Sequence, residues 1–233
     1  ERFSIIEWED VQEEVKEQIE NYLNSPGGVL VLEETETTKK VPVEIYSEVT
    51  PNPSVLKFVA NKKLVAFDLE YKNIEEAKNS PLATELYNFS FVKEIFISEN
   101  YVSITKFDVV EWSEITNEIR GFIKQFIADG KTIVDKSVQP KNKEQQGIQL
   151  EDLDDISKQI IAILDEYIKP AVAADGGNIL FQSYEQETKV VNVILQGACS
   201  GCPSSTITLK NGIENMLKQL IPGQIEQVVA INQ

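Results

Sequence analysis

Two cysteines, Cys199 and Cys202, are the residues of this 233-residue chain whose type and spacing could do chemistry. Gly197 and Gly201 flank the first of them, and Pro203 follows the second. Because proline suits the first position of a helix, Cys202 is predicted to be the N-cap and Cys199 to lie on the loop just before it. The positive end of the helix dipole favours thiolates there, and glycine lets amide groups approach the sulfurs. The pattern therefore predicts two soft anionic ligands aimed at one point.

Three uses of such a pair remain open from the residues alone. Thiol–disulfide exchange needs only two cysteines, but it usually has an aromatic residue before the first one, where this chain has Ala198. A zinc site or an iron–sulfur cluster normally needs four ligands, and the chain offers two cysteines and no histidine, so such a site must be shared between two chains. Ligands completed across a two-fold axis are labile, which suits transfer better than permanent electron carriage. The third use is a buried, inert pair, which would not call for flanking glycines.

Composition narrows the class of protein. The absence of histidine excludes hydrolases with a histidine base, histidine-ligated zinc enzymes and haem held by a proximal histidine. A formal net charge of −16 disfavours nucleic acid and anionic membrane surfaces as partners. No apolar run approaches the ~20 residues that span a bilayer, and the acidic residues 1–20 are unlike a signal peptide. With only two cysteines, we expect an intracellular, reducing compartment, and the bacterial cytoplasm in particular.

Length and polarity divide the chain into domains. The polar residues 136–150 are interpreted as a linker and a second break falls at 33–40, so domains are predicted at 1–35, 41–135 and 151–233. Residues 1–35 are predicted to be a partial copy of the middle domain, truncated at its N-terminus, because a shift of 104 positions aligns identical residues. A chance likeness of two amphipathic helices is the alternative. The aligned pairs are Phe3 and Phe107, Glu7 and Glu111, Trp8 and Trp112, Glu14 and Glu118, and Ile19 and Ile123.

Apolar periodicity predicts an α+β fold made of small α/β sandwich domains joined by the polar linker. The middle domain is expected to combine a hairpin at 92–107 with a helix at 113–127. Its sequence combines no nucleophile with a base and has no phosphate loop or metal-ligand spacing, so it is interpreted as a structural or protein-binding module. The last domain is expected to contain a helix at 153–168, a hairpin, a helix at 204–220 and a strand at 225–231. These elements would present the two cysteines.

The last domain resembles a known family. Segments 169–177 (KPAVAADGG) and 197–206 (GACSGCPSST), within residues 164–231, closely resemble the C-terminal domain of NifU and of Nfu-type iron–sulfur carriers. Residues 43–135 are similar to the N-terminal domain that accompanies it in many Nfu proteins. The motifs that carry this second resemblance are TPNP at 50–53, LKF at 56–58, SPLA at 80–83 and EW at 111–112. The duplicated fragment at 1–32 is not part of that two-domain plan.

The resemblance implies a function for the two cysteines. It implies assembly of a [4Fe–4S] cluster bridged between two subunits, with Cys199 and Cys202 as its ligands, and delivery of the cluster to apo-proteins. A homodimer held by the cluster, an upstream cluster donor and apo iron–sulfur recipients are then the expected partners, and the chain is not expected to be an enzyme. A [2Fe–2S] form stays open, and residues 41–135 are expected to dock donors or recipients. A dithiol–disulfide oxidoreductase and a zinc-bridged dimeric binding module remain the alternatives.

Overall fold

A computed structural model describes residues 12–13, 15–17, 42–135, 153–200 and 203–231, and of residues 203–205 it gives the backbone. The chain divides into two compact units, Glu1–Val41 and Pro42–Gln233. The described residues of the first unit are helical. The predicted linker, most of the predicted partial copy and Cys202 lie outside the described residues. The domain boundaries drawn from the sequence therefore stay predictions.

Residues 42–135 form a five-stranded antiparallel sheet with two helices on one face. The strand order is β1-β2-β5-β4-β3. Successive strand residues point to opposite faces, so one face carries the apolar core and the other is left for a different contact. The elements are β1 (Ile45–Val49), β2 (Val55–Ala60), β3 (Leu69–Tyr71), α1 (Pro81–Leu86), β4 (Val92–Ser98), β5 (Tyr101–Lys106) and α2 (Trp112–Ala128).

Helix α2 covers the core face with the apolar stripe that its sequence predicts. Ile115, Ile119, Ile123 and Phe126 repeat at helical spacing, and all four are buried against the sheet. The predicted hairpin is also confirmed, since β4 and β5 pair antiparallel from Ser98 and Tyr101 at the turn.

Residues 153–231 form a second, three-stranded sheet with its own core. The strand order is β6-β7-β8, with β6 and β7 antiparallel and β7 and β8 parallel. The parallel pair requires a crossover, and the helix that supplies it begins directly after the cysteine segment. The elements are α3 (Asp155–Ile163), a π-helical turn (Leu164–Ile168), α4 (Lys169–Ala174), β6 (Gly177–Glu185), β7 (Val190–Gly197), α5 (Pro203–Leu220) and β8 (Gln227–Ile231).

The first helical segment of this domain is longer than the sequence predicted. The expected end near residue 168 is wrong, because the chain stays helical through the π-helical turn and continues as α4 to Ala174. Pro170 cannot donate to a carbonyl in the preceding turn. The wider turn, in which the Lys169 N–H donates to the Leu164 carbonyl, accommodates the proline without ending the helix.

The described elements confirm the predicted α+β class, with a helix layer on a sheet in each half of the second unit. Among the described residues, no helix has the length and apolar character that crossing a bilayer requires.

Candidate cysteine-loop site

Cys199 lies on the short loop that joins β7 to α5. This residue is 6% exposed and belongs to the apolar core of residues 153–231. Gly197 ends β7 with a φ of +62°, and the N–H and hydroxyl of Ser200 both donate to the Gly197 carbonyl, at 3.1 and 2.8 Å. Pro203 is the first residue of α5, as predicted. The loop therefore makes a tight turn that directs the Cys199 side chain inward.

Residues 174–177, which lead into β6 and which we call the glycine turn, are part of the same site. Gly176 accepts from the Ala198 N–H at 3.2 Å, and Gly177 pairs with Gly197 across the β6–β7 ladder. A Cβ on Gly177 would lie 2.9 Å from the Cys199 sulfur and 2.5 Å from the Gln196 carbonyl oxygen. Only glycine fits at this distance. The structure thus brings together the two motifs that carried the family resemblance.

The environment of Cys199 differs from the predicted thiolate site. Burial, with a smaller contribution from the nearby Asp175 carboxylate, raises the pKa of the Cys199 thiol to about 12. The thiol is therefore protonated at neutral pH in this arrangement. The Gly197 N–H donates to Glu70 Oε1 at 2.8 Å. Cys202, the other predicted ligand, lies outside the described residues.

Glu70 belongs to the other sheet, and so do most of the remaining neighbours of the loop. On the sheet face opposite α1 and α2, a row of directly paired residues crosses all five strands. In order across the sheet, the row contains Glu48, Lys57, Ser103, Phe96 and Glu70. We call Lys57, Ser103, Phe96 and Glu70, together with Tyr101, the docking face.

Five hydrogen bonds join residues 42–135 to the main chain of the cysteine loop and the glycine turn. In four of them a main-chain carbonyl accepts, and in the fifth the Gly197 N–H donates. Four involve the docking face and one involves Asn52, in the turn before β2. The bonds are Lys57 Nζ to Ala174 O at 3.1 Å, Ser103 Oγ to Gly176 O at 2.7 Å, Tyr101 Oη to Gly177 O at 3.1 Å, Asn52 Nδ2 to Ala198 O at 3.2 Å and Gly197 N to Glu70 Oε1 at 2.8 Å.

Burial acts in different ways on the side chains that make these bonds. Burial raises the pKa of Tyr101, so its hydroxyl stays a donor. Lys57 lies 3.0 Å from Glu48 and 4.6 Å from the centre of the Tyr101 ring, so its buried ammonium has two partners besides the Ala174 carbonyl. Burial also raises the pKa of Glu70, an effect that the bond from Gly197 opposes.

The TPNP motif positions Asn52. Asn52 is 5% exposed, and its Oδ1 accepts from the Ser54 N–H at 3.1 Å while its amide nitrogen reaches Ala198. The Trp112 indole N–H holds the same turn by donating to the Pro53 carbonyl at 3.0 Å. The TPNP and EW motifs therefore act together to place the Asn52 side-chain amide against the cysteine loop.

Sequence reasoning missed the docking face. Its one local signal was β2, where every residue is buried although the run contains Lys57. A strand that lacks the usual apolar–polar alternation indicates burial on both faces. Nothing local to Ser103 or Glu70 identifies their partners, which lie far along the chain.

The described residues do not form a complete metal site. Within the described residues, no group of three or more cysteine, histidine, aspartate or glutamate side chains could hold a metal ion. Two thiols suit iron in kind but not in number, since a cluster needs about four ligands. Cys199, packed inward and protonated, does not fit a cluster ligand in this arrangement.

Comparison with known proteins identifies the family. A family model described as "Scaffold protein Nfu/NifU N terminal" matches residues 45–130, and one described as "NifU-like domain" matches residues 160–229. Together the two matches cover more than half of the chain. The chain belongs to the Nfu/NifU family, and the cysteine loop and the glycine turn both lie in the NifU-like domain.

Two curated relatives agree with this assignment, and one solved structure aligns with part of the chain. NifU-like protein 4, mitochondrial, of Arabidopsis thaliana is 35% identical over 76% of this chain and 62% of that protein. The NFU1 iron-sulfur cluster scaffold homolog, mitochondrial, of Drosophila willistoni is 37% identical over 79% of this chain and 62% of that protein. The chain thus spans about three fifths of the length of these curated relatives. The solution NMR structure of a NifU-like protein from Saccharomyces cerevisiae aligns with a TM-score of 0.37 and 24% identity, over 41% of this chain and 87% of that one.

The expected location is wrong. The cysteine count favoured the bacterial cytoplasm, whereas the similar proteins from Arabidopsis and Drosophila are named as mitochondrial. A low cysteine count indicates a reducing environment, and that property does not distinguish one reducing compartment from another.

Proposed function

We propose that this chain is an iron–sulfur cluster scaffold or carrier, and not an enzyme, that holds a cluster as cargo and delivers it to apo-proteins. The observation that supports this proposal best is the set of possible ligands. The chain has two cysteines, which lie three positions apart in one glycine-containing segment, and no histidine. Relatives from Drosophila are named as iron-sulfur cluster scaffold homologs, which agrees with this role.

The ligand count leads to a shared site. Cys199 and Cys202 provide two thiolates per chain, so a [4Fe–4S] cargo with four thiolate ligands requires a homodimer with the cluster between its subunits. Separation of the two chains would break the ligand set in half. Such a site releases its cargo readily, as a carrier must, and an upstream donor and apo iron–sulfur recipients complete the proposed set of partners. Residues 41–135 are proposed to dock those donors or recipients.

Anaerobic reconstitution of the full chain with iron and sulfide tests the proposal. We expect about two irons and two sulfides per chain, because a cluster of four irons would be divided between two subunits. The mass in solution should double on loading. A colourless product with one zinc per two chains would replace the proposal by the zinc-bridged module. Disulfide exchange by a metal-free monomer would replace it by the oxidoreductase.

Substitution of either cysteine should abolish loading altogether. Cys199→Ala or Cys202→Ala removes two of the four thiolates in a dimer, which leaves too few ligands for the cluster. Iron per chain should therefore fall to background in each variant. Ser200→Ala on the same loop is the matched control and should load like the parent, since the Ser200 N–H still bonds to Gly197. Retention of half the iron by either cysteine variant would contradict a shared site.

A further inference from the structure

We propose that the docking face is an internal cover that recognises the main chain of the cysteine loop and holds Cys199 inside its own domain until the two halves of the unit separate. The cover is defined by contacts within this chain. Its purpose, to control when the loop becomes available for cluster loading, rests on the proposed function.

The contacts recognise the conformation of the loop. All five bonds end on backbone atoms of residues 174–177 and 197–198, whose positions depend on the path of the chain. A loop that turned Cys199 outward would have to move Gly197 and Ala198, and so would lose the bonds to Glu70 and Asn52. The docking face therefore stabilises the inward loop relative to any other.

Two glycines allow the close approach. A Cβ on Gly176 would lie 2.8 Å from Ser103 Oγ, and a Cβ on Gly197 would lie 2.9 Å from two carbons of the Phe96 ring. Both glycines also have a positive φ, of +82° and +62°. At these two contacts the halves of the unit pack so closely that there is no room for a Cβ on either glycine.

The character of the interface allows it to open. The two sheets have separate apolar cores, and the apolar part of the contact face is a small cluster of Val59, Phe96 and Tyr101. The other contacts are polar side chains, including the ammonium of Lys57 and the carboxyl of Glu70. Water can solvate these groups when the halves part, so opening costs far less than unfolding either core.

Alkylation of Cys199 measures the cover without any cluster. In the full chain carrying Cys202→Ser, Cys199 is the only thiol, and the second-order rate of its reaction with iodoacetamide reports how often the loop is released. We expect Glu70→Ala and Ser103→Ala each to raise this rate about tenfold, which corresponds to about 1.4 kcal/mol for a lost buried hydrogen bond. The double variant should exceed either one.

Glu44→Ala is the matched control. Glu44 lies near β1 and reaches Lys124 of α2, on the core side of the sheet, and its side chain is 66% exposed. Cys199 in the Glu44→Ala variant should be alkylated at the same rate as in the parent. Equal rates in the parent, Glu70→Ala and Ser103→Ala, with circular dichroism showing all of them folded, would overturn the cover. An equal rise in the Glu44→Ala variant would overturn it as well, since the effect would then be general destabilisation.

A second measurement separates the cover from the proposed function. The variants with both cysteines intact should take up iron and sulfide faster than the parent under anaerobic conditions, because the loop is released more often. If the parent and all variants fail to take up iron while the alkylation rates still differ as expected, the cover stands and the scaffold function fails. If loading occurs at one rate in every variant, the cover does not control loading.

Discussion

Gly177 is the residue at which the packing around the cysteine is tightest. The space for its Cβ is already occupied by the Cys199 sulfur and by a backbone carbonyl that cannot rotate away. The φ of this residue is not in the left-handed region, so the requirement for glycine here comes from space and not from backbone strain. The glycine pair before β6 thus combines two different requirements, since Gly176 also needs its positive φ.

Gly177→Ala should destabilise the chain by about 1–3 kcal/mol, the usual cost of forcing an extra carbon into a packed site. Urea unfolding of the purified variant measures this change in the free energy of unfolding. Gly212→Ala is the control, because Gly212 lies on α5 with nothing within 4 Å of its Cβ position. That variant should gain about 0.5–1 kcal/mol from helix propensity. Equal effects of the two substitutions would show that the space at Gly177 is not what matters.

At the scale of elements, the start of α3 depends on one carboxylate. Asp154 is the N-cap, and its Oδ1 accepts from the N–H groups of Ile156 and Ser157 at 3.0 Å each, while its Oδ2 lies 2.6 Å from Ser157 Oγ. The Ser157 hydroxyl, followed by the backbone bonds, lowers the pKa of this carboxyl. The folded state therefore prefers the ionised cap.

The contribution of this cap should be lost in acid. A lowered folded pKa means that the stabilisation is complete above the ordinary aspartate pKa of about 4 and disappears as the pH falls through the folded value. Asp154→Asn keeps a capping oxygen that does not titrate. Urea unfolding at neutral pH and at about pH 3 should show a smaller acid loss in the variant than in the parent. Identical losses in both would exclude a role for Asp154 in the pH dependence.

The elements that the sequence predicted well are those with local signals. The α2 stripe from Ile115 to Phe126 and the hairpin around Ser98 depend on periodicity and turns within a few residues. The prediction stopped too early at Pro170, because a rare π-helical turn overrides the usual effect of proline. The position of Cys199 on the loop before α5 was predicted correctly. The bonds beside it, from Ser103 to Gly176 and from Gly197 to Glu70, were not, since their partners lie 73 and 127 positions apart along the chain.

At the scale of the whole molecule, the second unit consists of two small sandwiches whose contact is also the site. Each half has an apolar core of its own. Their contact nevertheless uses five hydrogen bonds and two glycines without room for a side chain. So specific a contact between two separate cores agrees with a function for the contact itself.

The half that carries the docking face precedes the half that carries the cysteine loop along the chain. The bonds from Lys57 and Asn52 join residues 117 and 146 positions apart. Domains generally fold as units during synthesis, with the earlier one first. The residues of the docking face all precede the cysteines along the chain. Folding in that order would present each cysteine loop with a finished cover.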